Sequence, residues 1–300
     1  MGRPLRIEFP GAIYHVTSRG DRRELIFRDD ADRESLLDVV DRSMGRMDAE
    51  AFAFCLMGNH YHFVVHTRQA NLSQLMRQVN GEYTRAFNRR HATSGHVFQG
   101  RFHAVLVDRD SYLVDVCRYV ELNPVKAGLV QRPDQWRWSS FLANSGQRPA
   151  PAWLATSVVH GHLLGFDIAS EHDRLRAAQL YADLVHSSQD ADLWNKHLRA
   201  QIYLGDESFI QRTKARATQQ RLECTEISRV QRAAPGAALA TWCVPGRTRD
   251  EAFRLAYVSG GLSMGQIARE AGLSISAVSR KIASAERLQH SRPDTATFKT

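Results

Sequence analysis

The feature that most limits the fold of this chain is a pair of β-rich runs, Ala51 to Met57 and Tyr61 to Thr67, meeting at Gly58-Asn59. Two such runs around a glycine–asparagine pair predict an antiparallel hairpin, because these residues accept the backbone of a tight connection. Ala12 to Ser18 reads as a further strand, bounded by Pro10-Gly11 and Gly20-Asp21. Asp30 to Met47 carries Leu36, Leu37, Val40 and Met44 at helical spacing, and Asn71 to Arg90 repeats the pattern with Leu72, Leu75, Met76 and Val79. Phe102 to Val107 is another strand and Ser111 to Leu122 another helix. The order β-α-β-β-α-β-α predicts an α+β fold, a ferredoxin-like antiparallel sheet with helices on one face. The second face is then open to a ligand.

Beyond residue 145 the pattern changes. Gln147 to about Asp167 shows no clean period, and helical patterns return near Ser170–Ser187 and Glu207–Gln220. Pro235-Gly236 and Pro245-Gly246 mark a second boundary. Thr248 to Arg287 reads as a helix-turn-helix unit: Ser263 and Ser274 stand at N-cap positions, Ala271-Gly272-Leu273 makes the turn, and Ile267, Leu273, Val278 and Ile282 supply a small core. A plain helical hairpin is the alternative; Ser276, Ser279, Arg280 and Lys281 on the second helix favour DNA. The expected domains are 1–145, an α-helical connecting region 146–235, and a helix-turn-helix domain 236–300.

A formal charge of +8, carried by arginine far more than lysine, points toward phosphate without requiring it. Cys55, Cys117, Cys224 and Cys243 form no CxxC pair, which reads as a reducing compartment without structural zinc. No apolar stretch is long enough to span a bilayer, so the chain is expected in the cytoplasm with no membrane partner.

His60-Tyr61-His62 opens the second hairpin strand. Alternation puts His60 and His62 on one face, about 7 Å apart, close enough for two imidazoles to share a cation. His66 has the same parity but lies about 13 Å beyond His62, too far for that ion. A metallohydrolase of the HxHxDH kind fails, because Val64 and Val65 stand where its acid and third histidine belong. On the helix after the last strand, Leu113, Val116, Cys117 and Val120 form the buried stripe, and Tyr112, Tyr119 and Asn123 share a line along its edge. A tyrosine there can also simply seal the core. Pro124 disfavours helical geometry at Asn123. Chemistry joins these features. Phosphodiester cleavage needs a cation on the nonbridging oxygens and a nucleophile in line, and two imidazoles with one amide suit Mg²⁺ or Mn²⁺ while leaving positions open.

The segments GAIYHVTSRG (Gly11–Gly20), MGNHYHFVV (Met57–Val65), GHVFQGRF (Gly95–Phe102) and RYVELNPVKAGLV (Arg118–Val130) resemble the single-tyrosine HUH transposases, IS200-like, and more closely the REP-associated tyrosine transposases of bacteria. The resemblance implies that His60 and His62 are metal ligands, that Asn123 supplies the third, and that Tyr119 is the nucleophile. It implies a 5′-phosphotyrosine intermediate with a free 3′-OH, formed on single-stranded DNA beside hairpins of repetitive extragenic palindromes. It also implies a bacterial, nucleoid-associated location and a monomer or homodimer. The helical region and helix-turn-helix resemble the extension of longer members.

Arg85, Arg89 and Arg101, among interleaved aromatics, are candidate phosphate contacts, and Arg19 at a strand end is a lesser one. In the helix-turn-helix, Ser276, Arg280 and Lys281 are the candidates. The rival function is a DNA-binding regulator that uses the helix-turn-helix and performs no cleavage.

Overall fold

The computed structural model describes residues 7–187, 198–199, 202–223, 239–244, 246–258, 262 and 264–290. The chain divides into two compact units, residues 7–214 and a second from residue 215 onward. The expected boundary at 145 falls inside the first of these.

In the first unit β1 (Ala12–Arg19), α1 (Asp30–Arg46), β2 (Ala49–Leu56), β3 (His60–Thr67), α2 (Leu72–His91), β4 (His103–Val107) and α3 (Arg109–Glu121) follow one another as the sequence pattern predicts. The strands lie in the order β2-β3-β1-β4, each pair antiparallel, which is the split βαβ arrangement. Gly58-Asn59 closes the hairpin, the Met57 N–H donating to the His60 carbonyl at 2.9 Å. The sheet runs further than expected. After α4 (Asn123–Lys126), α5 (Phe141–Asn144), α6 (Thr156–Leu164) and α7 (Glu171–His186), the short strands β5 (Leu198–Arg199) and β6 (Tyr203–Leu204) join it, β6 parallel to β4. α8 (Glu207–Glu223) follows.

Strand alternation sends two sets of side chains to two cores. Tyr14, Val16, Phe54, Tyr61, Phe63 and Val65 pack beneath α1 and α2, against Leu36, Val40, Leu75, Val79 and Tyr83. Ile13, Cys55, Val64, Val105 and Val107 face the other way, under Leu113, Val116, Cys117 and Val120 of α3. The second face is therefore covered over much of its area, with Val159 of α6 and Tyr181 and Val185 of α7 extending the cover. This packing is why residues 146–186 share a unit with the sheet. The apolar residues of helix α6 (TSVVHGHLL) show little periodicity, so the sequence pattern alone does not predict it.

The end of α3 is fastened by a buried carboxylate. Glu121 accepts from Ser140 Oγ at 2.5 Å, Asn144 Nδ2 at 2.7 Å and Tyr181 O–H at 2.8 Å. Ser140 Oγ in turn accepts the Phe54 N–H at 2.8 Å, tying α3 to the edge strand β2. That edge is also covered by main-chain bonds from Leu56 N–H to Trp138 and from Ala51 N–H to Trp153, so it offers no free ladder.

In the second unit α9 (Arg249–Val258), α10 (Met264–Ala271) and α11 (Ile275–His290) enclose Phe253, Ala256, Ile267, Val278 and Ile282. Gly272 takes φ +67° in the turn, and Ser274 Oγ accepts the Ala277 N–H at 3.2 Å as the N-cap of α11. Ser263 lies outside the described residues. No helix among those described is long and apolar enough to cross a membrane.

Candidate active site on the second sheet face

The antiparallel register sets His60 opposite Arg19 and His62 opposite Thr17, with both imidazoles on the α3 side of the sheet. Their ring centroids are 5.0 Å apart. His62 is buried and His60 half-buried, so the pair runs from the protein interior to its surface. His66 belongs to a different cluster, its Nδ1 2.8 Å from Glu50 Oε1 and its ring stacked on Phe52.

Tyr119 reaches this pair from above. Its half-buried ring stands edge-on to His62 at 6.4 Å between centroids and to His15 at 6.0 Å. Tyr112 lies seven residues earlier on α3, about 10 Å along the axis. The Tyr119 ring contacts both His62 and His15. Asn123 stands just beyond α3, where its Nδ2 donates to the carbonyls of Tyr119 at 2.9 Å and Val120 at 3.1 Å. Its amide nitrogen thus closes the end of the tyrosine's helix.

Three residues that sequence reasoning had passed over belong to the site. His15, buried on β1, stacks on His62 with planes 5° apart, its Nε2 3.0 Å from His62 Nδ1. Asn59 places Oδ1 2.7 Å from His60 Nδ1. Lys126 holds its ammonium 4.3 Å from the centre of the Tyr119 ring. The available signal for His15 was its place between the apolar Tyr14 and Val16, which turns it to the opposite face.

Burial keeps these imidazoles neutral. Desolvation, reinforced by the Arg19 charge, lowers His60 to about 4. Desolvation with repulsion from His103 lowers His15 to about 3. His62 is depressed by desolvation and then by His15, His60 and Arg19. Neutral imidazole is the metal-binding form. His62 Nε2 is buried and has no hydrogen-bond partner, a bare nitrogen of the kind a cation would occupy. The residues present therefore fit a divalent ion. Among the described residues no three His, Cys, Asp or Glu side chains form a metal cluster, so ligands beyond the imidazoles would be an amide, water or substrate oxygen.

The candidate DNA contacts separate. Arg19 is exposed beside His60, and exposed Arg101 follows a segment bound to the same strand end, where Gln99 N–H donates to the Arg19 carbonyl at 2.8 Å. Arg85 and Arg89 are exposed on α2, which covers the opposite face of the sheet from the histidines. In the second unit Arg280 is exposed, whereas Lys281 Nζ pairs with Asp250 at 2.9 Å. The Ser276 side chain lies outside the described residues.

Comparison with known proteins bears on the same segment. Two solved structures are similar at low identity. One, a REP-associated tyrosine transposase bound to a REP hairpin, is 19% identical over 52% of this chain and 92% of its own, with a TM-score of 0.44. The other, a putative transposase from Deinococcus radiodurans, is 16% identical over 40% of this chain and 95% of its own, with a TM-score of 0.28. No curated protein matches the chain. Residues 9–123, the stretch from just before β1 to Asn123 that holds both histidines and the tyrosine, match the family model of IS200-like transposases.

Proposed function

We propose that this chain is a metal-dependent endonuclease and strand transferase for single-stranded DNA, acting beside hairpins of the repetitive extragenic palindrome type through a 5′-phosphotyrosine intermediate. The observation that carries this reading is the Tyr119 ring set against the buried His62, whose Nε2 is bare. In the reaction the Tyr119 oxygen attacks phosphorus and the bond to the 3′ oxygen breaks. The phenolic proton is lost to solvent and one is gained by the departing 3′-OH, so the bond is exchanged rather than hydrolysed. His60 and His62, with Asn123 as the third candidate, would hold Mg²⁺ or Mn²⁺, which supplies charge neutralisation at the nonbridging oxygens. Lys126, with its ammonium over the aromatic ring, holds the ring in place. Arg19 and Arg101 at the open end of the site are positioned to follow the backbone of the strand.

For the second unit we infer duplex or hairpin binding through α11, with Arg280 the leading contact. Lys281 is a weaker candidate because Asp250 already pairs with it. A DNA substrate places the work in the cytoplasm, at the nucleoid. The test is incubation of the protein with Mg²⁺ and a hairpin-bearing single strand, resolved on a denaturing gel. A covalent protein–DNA band that disappears in His60→Ala and His62→Ala supports the reading. Cleavage that survives both substitutions overturns the metal assignment, and hairpin binding without any cleavage favours a regulator.

A further inference from the structure

Both candidate metal ligands are gripped on the same ring nitrogen. At His60 the grip is Asn59, whose side-chain amide touches two groups at once. Its Nδ2 lies 3.0 Å from the Arg23 carbonyl and its Oδ1 2.7 Å from His60 Nδ1. A backbone carbonyl only accepts, so the amide nitrogen must face Arg23 and the amide oxygen must face the imidazole. That oxygen also only accepts. His60 Nδ1 therefore carries the hydrogen, and the lone pair is left on Nε2.

At His62 the same result follows by a different route. Its Nδ1 lies 3.0 Å from His15 Nε2, and its own Nε2 is buried without a partner. A hydrogen on Nε2 would be a buried donor with no acceptor. A hydrogen on Nδ1 is donated to His15 and leaves Nε2 bare, so the second tautomer is the stable one.

We propose that Asn59 and His15 are positioning residues that fix the Nδ1–H tautomers of His60 and His62, so that both rings present Nε2 to one divalent cation. The assignment rests on the metal reading above and deepens it. It also accounts for an unusual turn. Arg22 and Arg23 adopt φ +51° and +63°, left-handed values that arginine rarely takes, and this turn brings the Arg23 carbonyl to Asn59. The Gly20 N–H donates to the Asn59 carbonyl at 2.8 Å, and the Ile26 N–H donates to that of Gly58 at 3.1 Å, so the loop and the hairpin are bound as one piece. Backbone that costs energy is thus held where it orients a ligand.

Two measurements on the full chain test this. The first is long-range ¹H–¹⁵N correlation of histidine-labelled, metal-free protein at neutral pH, where His60 and His62 should both appear as Nδ1–H tautomers. The second is Mn²⁺ affinity, read from the electron paramagnetic resonance of the free ion. Asn59→Ala and His15→Leu should weaken Mn²⁺ binding about 10- to 100-fold, the usual effect of losing a partner that orients a metal ligand. Asn59→Asp keeps an acceptor oxygen and His15→Gln puts one in place of the ring nitrogen, so each should restore most of the affinity. Should His15→Leu not fold, as judged by circular dichroism, His15→Gln and the half-buried Asn59 pair carry the comparison. Nε2–H tautomers, or unchanged affinity in folded Asn59→Ala and folded His15→Leu, overturn the positioning roles alone. A wild-type chain that binds no Mn²⁺ overturns the metal reading itself.

Discussion

Tyr119 and His62 sit with ring planes at 81° and centroids 6.4 Å apart, although one comes from a helix and the other from a strand 57 residues earlier (119 − 62). Their meeting depends on α3 returning across the face of the sheet that carries the histidines.

Acidification should destabilise the metal-free protein. His15 and His60, lowered to about 3 and about 4, and His62, also depressed, remain neutral in the folded state. In the unfolded chain they protonate near pH 6.5. Between about pH 6.5 and pH 4 the unfolded state binds more protons, so stability falls as pH falls. Glu121 opposes this. Burial raises it to about 7 against the hydrogen bonds it accepts, so its contribution is lost as pH rises from about 4.5 to 7. Three groups outweigh one, and urea unfolding in the presence of chelator should show a net loss below pH 6.5. Glu121→Gln should steepen that loss. A profile that is flat from pH 7 to pH 4.5 would contradict the neutral histidines.

Removing the Glu121 carboxyl should loosen the tyrosine's helix. Glu121→Ala leaves the Ser140, Asn144 and Tyr181 donors without their acceptor, at roughly 1–3 kcal/mol for each group that cannot find another partner. Chemical denaturation measures the cost. A change below about 0.5 kcal/mol, the range of ordinary surface substitutions, would show that the network contributes nothing.

Gly20 has no room for a side chain. A Cβ there would stand 2.1 Å from the Glu24 carbonyl oxygen, a main-chain atom that cannot swing aside. Gly20→Ala should displace the Arg22–Arg23 turn, lowering stability by about 1–3 kcal/mol and weakening Mn²⁺ binding with it. Unchanged amide chemical shifts at Asn59 and His60 in that variant would refute the link between the turn and the ligand.

Arg280→Ala should weaken hairpin affinity and reduce the salt slope of log K by about one, since one phosphate contact is lost. Single-turnover cleavage at saturating DNA should remain at the wild-type rate. Lys281→Ala should move the slope less, because its ammonium is already paired with Asp250. An unchanged slope in Arg280→Ala would argue against α11 as the DNA-facing helix.

How much of this was legible in the sequence depended on the range of the interaction. The HxH parity needs only strand alternation, so His60 and His62 could be paired and His66 set aside from local text. The choice between Tyr112 and Tyr119 cannot be made that way, because both lie on one line of α3; the resemblance favours Tyr119, and its ring stands beside His62. His15 and its partner are 47 residues apart, joined by strand pairing that no local pattern encodes. Arg85 and Arg89 are candidate phosphate contacts from the interleaving of basic and aromatic residues, yet α2 carries them to the face opposite the histidines. Asn59 read as a turn residue, which it is; its hold on His60 emerges only once the Arg23 carbonyl is in place.

The central claim is that Tyr119 becomes covalently joined to the 5′ end of the cleaved strand. The most direct test is to trap the protein with Mg²⁺ and a hairpin-flanked single strand, digest the complex, and locate the nucleotide adduct by mass spectrometry. The account predicts a phosphodiester on the peptide containing Tyr119, a free 3′-OH on the released strand, and no adduct in Tyr119→Phe, which should still bind the hairpin. An adduct on Tyr112, or full cleavage by Tyr119→Phe, would contradict it.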